Sequence, residues 1–566
     1  MFRKSVDNHQ MDVFSSPIEH LPGSTLNYYL KNDSWHNLFR KQVVMRVNES
    51  IFSVLFDDKN GAPNASIRVL IGMMLLKEGQ GWSDEQLFEN ANYNLLIRSA
   101  LGLMNLEDAV PAASTYYLFR KKLVEYNREH DVDLFKICQD EITAGQILEF
   151  NVSGKQVRMD SKLLGSNIAR LSRYELIHET LRLFIEEREE FIYKKSLSKA
   201  EFSLIKSIQE ETGNKVVYRS TKTEIDSKMI ALGKLMYRFV VLFKSNNYGQ
   251  YQTLKTVFEQ QYSVSRGKTV LPLEKEKISA KSIQSPHDTD AHFRDKDGNK
   301  VKGYSVNVTE TCDQPCEGGK PVLNLITDTQ VEVVSTQDNT YVQKALTNTQ
   351  EILPNNIEKV YADGAYNSVD NQEYCQNNNI DLVLTALQGA IPRYDVSLNR
   401  QDNNQLIVTD NKTGKQIQAE QVKTRKDSTK KRWRIKTEEG HYRYFDMENV
   451  RVTALRQKLR DIPIEQTNIR NNVEATIFQL AYHYSNDKSR YRGLAKHKLW
   501  AYSRSLWINF VRIMKYVTQL CQRTLLGQKL PNYIVNICFE ILIIVTKFCT
   551  QKNINKYPNY IHFSTF

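Results

Sequence analysis

Hydrophobic residues recur at helical spacing through about the first 150 residues, and the period then changes. Ile67, Leu70, Met74 and Leu75 mark one buried helical face. Ser83, three residues before Gln86, predicts a capping box at the head of DEQLFENANYNLLIRSALGL. Pro111 breaks the pattern, and Ser114 is placed to cap a further helix through TYYLFRKKLVEY. Three or four helices here predict an all-α domain over residues 1–150, suited either to DNA binding or to a structural role.

Beyond residue 150 strands enter. KQVRMDSKLL (155–164) reads as a short strand, followed by a long helical stretch from about Arg173 to Phe258. From about Val301, VKGYSVNVTET and VLNLITDTQVEVV read as strands and TYVQKALTNTQEIL as a helix. EKVYADGAY and DLVLTAL are strands flanking a helix around NQEYCQNNN. Such alternation predicts an α/β sheet layer. Residues 395 to about 450 are polar, with short β-like pieces (QLIVTD, KRWRIKT, HYRYFDM), and predict an inserted β-rich subdomain. A helical block runs from about Asn468 to Gln522. The expected division is a core of 151–172, 286–394 and 455–522, a helical insertion at 173–285, a β-rich basic insertion at 395–454, and a tail at 523–566.

A chain of 566 residues is too long for one ordinary core, and 41% hydrophobic with 25% charged residues is normal for a soluble globular protein. The net charge of +12 favours a polyanionic partner over an acidic small molecule. Seven scattered cysteines, Cys138, Cys312, Cys316, Cys375, Cys521, Cys538 and Cys549, suggest free thiols in a reducing compartment. Cys312 and Cys316 lack the second ligand pair that zinc requires. The N-terminal MFRKSVDNHQMDVF has no apolar core of a signal peptide. Ile534–Phe548 is short for a membrane span and carries Asn536 and Glu540. The expectation is a soluble intracellular protein with no membrane partner.

Three acidic residues are distinguished by placement. Asp160 lies at the end of a short strand, on the face opposite Val157 and Met159. Asp363 ends the strand EKVYAD directly before Gly364, where the chain can turn sharply. Glu474 sits on the helix NIRNNVEATIFQL beside a stripe of Ile469, Val473, Ile477 and Leu480. Two strand-end aspartates and a helical glutamate can converge, and three hard oxygen ligands suit Mg²⁺ or Mn²⁺. Two such ions are the usual apparatus for in-line displacement at phosphorus. Spacing alone does not select these three from 65 acidic residues.

A resemblance does. PNASIRVLIGMMLLKEGQGWSDEQLFENANYNLLIRSALGL with PAASTYYLFRKKL resembles the N-terminal domain of bacterial insertion-sequence DDE transposases. VRMDSKLLGSNIARLSR resembles the segment of their first catalytic Asp, here Asp160. SPHDTDAHFRDKDGNKVKGYSVNVTET resembles the strand region that follows, and VYADGAYNS the segment of the second Asp, here Asp363. RNNVEATIFQL with YRGLAKHKLWAYSRSLWINFVRI resembles the helix of the catalytic Glu, here Glu474. The likeness spans about residues 20–520 and implies a split RNase H-like catalytic core, α/β with helical and β-rich insertions, behind an all-α N-terminal domain. It assigns Asp160, Asp363 and Glu474 as ligands of two Mg²⁺ or Mn²⁺ ions, with Asp160 bridging. The insertions account for separations of 203 (363 − 160) and 111 (474 − 363) residues. Of a Tyr, Arg, Glu, Lys signature in relatives, Arg470 matches, whereas Thr467 and Ala481 replace the Tyr and Lys. That departure leaves the metal chemistry intact and removes support for a hairpin intermediate. Arg470, one turn before Glu474, is a catalytic candidate that either contacts a phosphate or neutralises Glu474.

Two basic clusters are candidate DNA contacts. One holds Lys423, Arg425, Lys426, Lys430, Lys431, Arg432, Arg434 and Lys436, with Trp433 interleaved where it can pack a sugar or base. The other holds Lys488, Arg490, Arg492, Lys496, Lys498, Arg504, Arg512 and Lys515. Its Trp500 and Trp507 read as core. The resemblance implies a transposase that binds transposon ends, frees a 3′-hydroxyl by hydrolysis and transfers it to target DNA. Its expected partners are double-stranded DNA and copies of itself, as a homodimer or larger assembly, in the bacterial cytoplasm at the nucleoid. The alternatives are a metal-dependent nuclease without strand transfer and a transposase-derived DNA-binding protein that has lost its chemistry.

Overall fold

The computed structural model describes residues 1–5, 18, 20–57, 60–244, 249–265, 269–296, 298–315, 319, 321–387, 391–399, 405–422, 431–484 and 487–526. The first helices are α1 (Gly23–Leu30), α2 (Trp35–Gln42), α3 (Ile67–Gln80), α4 (Asp84–Tyr93), α5 (Leu95–Leu101), α6 (Ala113–His130) and α7 (Leu134–Phe150). Helix α3 is buried almost all round, through Val69, Leu70, Ile71, Met73, Met74, Leu75 and Leu76, and so forms the axis of this helical region. The Ser83–Gln86 capping box forms at the start of α4. Ser114 does not cap α6: the N-cap is Ala112, which gives no side-chain bond, and Ser114 falls inside the first turn.

Strand β1 (Gln156–Gly165) is followed by α8 (Arg173–Ile192), α9 (Lys199–Glu210), α10 (Gly213–Arg219), α11 (Lys222–Leu242) and α12 (Gly249–Gln261). The expected long helical stretch is thus five helices. Capping boxes at Ser172–Glu175, Ser198–Glu201 and Thr221–Glu224 open α8, α9 and α11. These helices bury a core of their own, including Phe184, Ile185, Leu232, Met236, Phe239 and Leu254. A small hairpin, β2 (Tyr262–Val264) with β3 (Val270–Pro272), closes the insertion.

The main sheet adds β4 (His292–Lys296), β5 (Asn299–Thr311) and β6 (Ile326–Val333), then α13 (Val342–Ile352), β7 (Lys359–Ala362), α14 (Val369–Asn377) and β8 (Asp381–Leu384). Strand β5 runs antiparallel to β1, β4 and β6, whereas β7 runs parallel to β1, and β8 parallel to β7. The fold is therefore mixed helix and sheet behind a helical N-terminal region. A second, antiparallel sheet runs in chain order through β9 (Tyr394–Leu398), β10 (Leu406–Asp410), β11 (Gln416–Val422), β12 (Arg432–Lys436) and β13 (Tyr442–Asp446). Helix α15 (Met447–Arg460) packs on it, with Val396 N–H donating to Thr453 Oγ1 at 3.0 Å. The expected boundary at residue 454 therefore falls inside a helix.

Two short helices, α16 (Ile464–Asn471) and α17 (Val473–Leu480), precede the long α18 (Leu494–Leu526). Helix α18 joins the parts. Its Tyr502, Leu506, Trp507 and Phe510 enter the N-terminal helical core, and Trp500, Ala501 and Ile508 pack on the sheet. Gly79 on α3 makes this possible, because a Cβ there would lie 2.1 Å from the Trp507 ring. No described helix is long and apolar enough to cross a membrane. The Ile534–Phe548 segment, Cys316, Cys538 and Cys549 lie outside the described residues.

Candidate catalytic carboxylate site

Asp160 stands in the middle of β1, not at its end, because β1 continues to Gly165 against β5. Its alternation is as expected: Val157 and Met159 are buried on the opposite face. The parallel pairing of β1 with β7 runs from Gln156↔Lys359 to Arg158↔Tyr361. Continued two residues at the same offset, it sets Asp363 opposite Asp160, on one face. Strand β7 stops at Ala362, so beyond Arg158 that edge of β1 is open. Crevices at the carboxyl ends of parallel strands are where α/β sheets bind ligands.

Asp363 caps a short turn, Gly364–Tyr366, by accepting the Ala365 N–H. Gly364 is needed for close approach: a Cβ there would lie 2.2 Å from the Ala386 carbonyl oxygen. Glu474 lies at the start of α17, its side chain 64% exposed. The single helix expected here is broken at Asn472. Its apolar side still turns inward, with Val473 and Leu480 buried and Ile469 and Ile477 packed on the sheet.

Arg470 links the three carboxylates. Its Nη1 donates to Glu474 Oε1 at 2.8 Å and its Nη2 to Asp160 Oδ2 at 3.1 Å. Nη2 is also 3.9 Å from Asp363 Oδ2. The Arg470 side chain is only 12% exposed. Burial pushes the Asp160 carboxyl up to about 6, against the pull of Arg470 and the Ser161 N–H, while Asp363 and Glu474 push it further up. Among the described residues no three acidic, His or Cys side chains form a ready cation cage. The oxygens of these three carboxylates are spaced around a guanidinium.

A buried ion cluster fixes this geometry. Glu310 accepts from Arg158 Nε at 2.6 Å, Thr476 Oγ1 at 2.8 Å and Arg512 Nη2 at 2.7 Å. Burial alone would raise the Glu310 carboxyl, but Arg512 and Arg158 outweigh it and hold it below the usual value. Arg158 Nη1 also donates to the Ile469 carbonyl at 2.8 Å, so one cluster ties α16, α17 and α18 to β1 and β5. A second brace is Asp288, which accepts from Ser166 Oγ, from Tyr304 OH at 2.7 Å and from Gly493 N–H at 2.9 Å. Sequence reasoning missed both. For Glu310 a signal existed: strand alternation puts it on the face of Tyr304, Val306 and Val308, where a charge requires a partner.

The basic clusters divide. Lys423, Arg425, Lys426 and Lys430 lie outside the described residues. Lys431, Arg432 and Lys436 are exposed. Arg434 stacks over Tyr442 at 4.5 Å and reaches Glu420 at 3.3 Å. Trp433 is fully buried among Val396, Leu406 and Phe445, so it does not present a surface to a base. In the second cluster Lys488, Arg490, Arg492 and Lys496 are exposed, Lys498 is half-buried and Lys515 is exposed. Arg490 donates to the Gly81 carbonyl at 2.8 Å, and Arg492 to that of Asn167 at 2.7 Å. Lys488 bridges to Gly165, and Lys162 pairs with Asp487 at 2.7 Å, so this segment runs beside the far end of the Asp160 strand. Arg504 and Arg512 are not DNA contacts. Arg504 is buried on the carbonyls of Glu78, Gly79 and Leu480, and Arg512 is spent on Glu310.

No curated protein and no solved structure matches the chain. Residues 31–122, from α2 into α6, match the family model of a transposase domain (DUF772), which implies DNA binding. The match lies in the helical region, outside the carboxylate site. Over those residues the chain is similar to a transposase domain, which supports a transposase of the insertion-sequence kind.

Proposed function

We propose that this transposase cuts and rejoins DNA at the Asp160, Asp363 and Glu474 site by DDE chemistry, in an RNase H-like core. One observation carries the reading: three carboxylates 203 (363 − 160) and 111 (474 − 363) residues apart converge on one guanidinium where β7 ends beside the unpaired edge of β1. Their donor set is all hard oxygen, which fits Mg²⁺ or Mn²⁺. Bound there, two such ions would activate the attacking water or 3′-hydroxyl and stabilise the leaving oxygen. Asp160 is the most enclosed of the three and would be the one to share both ions. Strand β1 and the capped turn after β7 hold the two aspartates, and the Glu310 cluster holds the helices that carry Arg470 and Glu474. Exposed Lys488, Arg490, Arg492 and Lys496 beside β1 offer phosphate contacts that position a duplex without reading its sequence.

The test is cleavage of a labelled duplex bearing the DNA ends that flank the coding region, with Mg²⁺ or Mn²⁺. Wild type should cut and yield joined strand-transfer products. Asp160→Asn, Asp363→Asn and Glu474→Gln should bind the duplex and leave it intact. Variants that cut as well as wild type would place the chemistry elsewhere, and cutting without joined products would mark a nuclease.

A further inference from the structure

We propose that Arg470 is a displaceable counter-cation, whose guanidinium holds the carboxylate site closed to divalent ions until an anion draws it away. The inference rests on reading the triad as a cation site, and adds how that site is loaded. Two guanidinium nitrogens reach all three carboxylates, at 3.1 Å from Asp160, 3.9 Å from Asp363 and 2.8 Å from Glu474. Arg470 is therefore not a bystander on the helix surface. It stands where an ion shared by those oxygens would stand, and its fork contacts carboxylates through charge-assisted bonds. One positive charge and a doubly charged ion cannot occupy that space together, since like charges at such separations repel strongly in a half-buried site.

Two further features make the side chain a latch and not a fixed strut. Its buried Nε–H has no acceptor, so the present position leaves one donor unsatisfied, a cost that a new contact would remove. Its anchor is local: the Cα belongs to α16, and α16 is separated from α17 by the break at Asn472. The backbone of α16 is gripped at the Ile469 carbonyl by Arg158, so the side chain can swing while its helix stays in place. The anion that receives it is a phosphodiester of the DNA substrate, the only polyanion the proposed reaction supplies. Metal affinity and DNA affinity are then coupled, and by linkage each raises the other. An unloaded site in the DNA-free protein also prevents cutting before the ends are engaged.

The experiment measures Mn²⁺ binding to the full-length, DNA-free protein by the loss of the free-ion paramagnetic resonance signal. Wild type is compared with Arg470→Gln, Arg470→Met and each of these combined with Asp160→Asn. Met keeps a straight-chain helix former at the position, and melting curves identify which variants are folded. Expected is Mn²⁺ binding about tenfold or more tighter in the Arg470 variants than in wild type, and lost again with Asp160→Asn. Equal affinity in wild type and a folded Arg470 variant, both sensitive to Asp160→Asn, overturns the latch and leaves the metal site standing. Binding that Asp160→Asn does not touch, or no binding in any form, overturns the metal-site reading itself.

Discussion

Glu310→Gln separates the geometry of the site from its chemistry. Glu310 is fully buried, and both its oxygens are engaged by Arg158, Arg512 and Thr476 at 2.6–2.8 Å. Arg158 and Arg512 are themselves 10% and 20% exposed, so neither can be rescued by water once the carboxylate is gone. Glutamine preserves the shape but turns an –NH₂ toward one of the two guanidinium groups, setting donor against donor. Breaking a buried pair by removing one partner costs about 3–5 kcal/mol. The loss should be concentrated at α16 and α17, which Arg158 and Thr476 tie to the sheet. Hydrogen exchange across residues 464–480, with urea titration alongside, is the assay. Exchange there should rise several-hundred-fold, and DNA cutting should fall although no proposed ligand is touched. Glu310→Met combined with both Arg158→Met and Arg512→Met should recover much of the stability, because no member of the cluster is then left as an unpaired buried charge. The sign with pH follows from the depressed carboxyl. The stabilisation is present above the ordinary value of 4.5 and is lost as pH falls through the native value, a dependence that Glu310→Gln removes. A cost below about 1 kcal/mol, with exchange at 464–480 unchanged, would show that Glu310 is not ionised in the native protein, and the clamp argument would fail.

Other predictions are independent of that cluster. His497 is buried, its Nδ1–H donating to the Gly493 carbonyl at 2.8 Å and its Nε2 accepting from Ser489 Oγ at 2.6 Å, and burial lowers it from 6.5 to about 4. Stability from the neutral ring is therefore full above pH 6.5 and falls by about 3 kcal/mol as pH drops to 4; His497→Gln should flatten that part of the melting-temperature profile, and an unchanged slope would contradict it. Trp433→Ala should cost about 3–5 kcal/mol within the β9–β13 sheet, while Trp433→Phe should leave DNA affinity as it was. Weakened DNA binding by a stably folded Trp433→Phe would mean that the indole does meet nucleic acid. Gly364→Ala drives a Cβ toward the Ala386 carbonyl at 2.2 Å and should cost about 1–3 kcal/mol and shift Asp363, read as lost cutting with retained duplex binding.

Local properties were readable without coordinates. The apolar run of α3, the Ser83–Gln86 box and the alternation that turns Val157 and Met159 away from Asp160 are each set within a few residues by helix or strand period. The breaks between α8, α9 and α11 were equally local, since Ser-x-x-Glu and Thr-x-x-Glu boxes mark them, and only the weight given to continuous helical composition hid them. Ser114 shows the limit of that logic, for a capping residue type two places too far along is simply part of the first turn.

The transposase resemblance, carried by blocks of sequence, pointed to Asp160, Asp363, Glu474 and Arg470, but it held no distances. That the four side chains meet depends on the offset between β1 and β7, on where β7 stops, and on how α16 and α17 dock. The β1–β7 pairing and the tie from Arg158 to α16 join residues more than a hundred positions apart. Burial is non-local in the same way. Trp433 lies in a run of basic residues and reads as a surface aromatic, yet β12 alternates and turns it into the core of its sheet. Arg504 and Arg512 share a run of cations with Arg490 and Arg492, yet on α18 Arg504 is buried against backbone carbonyls and Arg512 is drawn to Glu310, whereas Arg490 and Arg492, ahead of that helix, stay exposed. Charge and period are written along the chain, whereas the identity of a cation's partner depends on what the folded surfaces bring within a few ångströms of it.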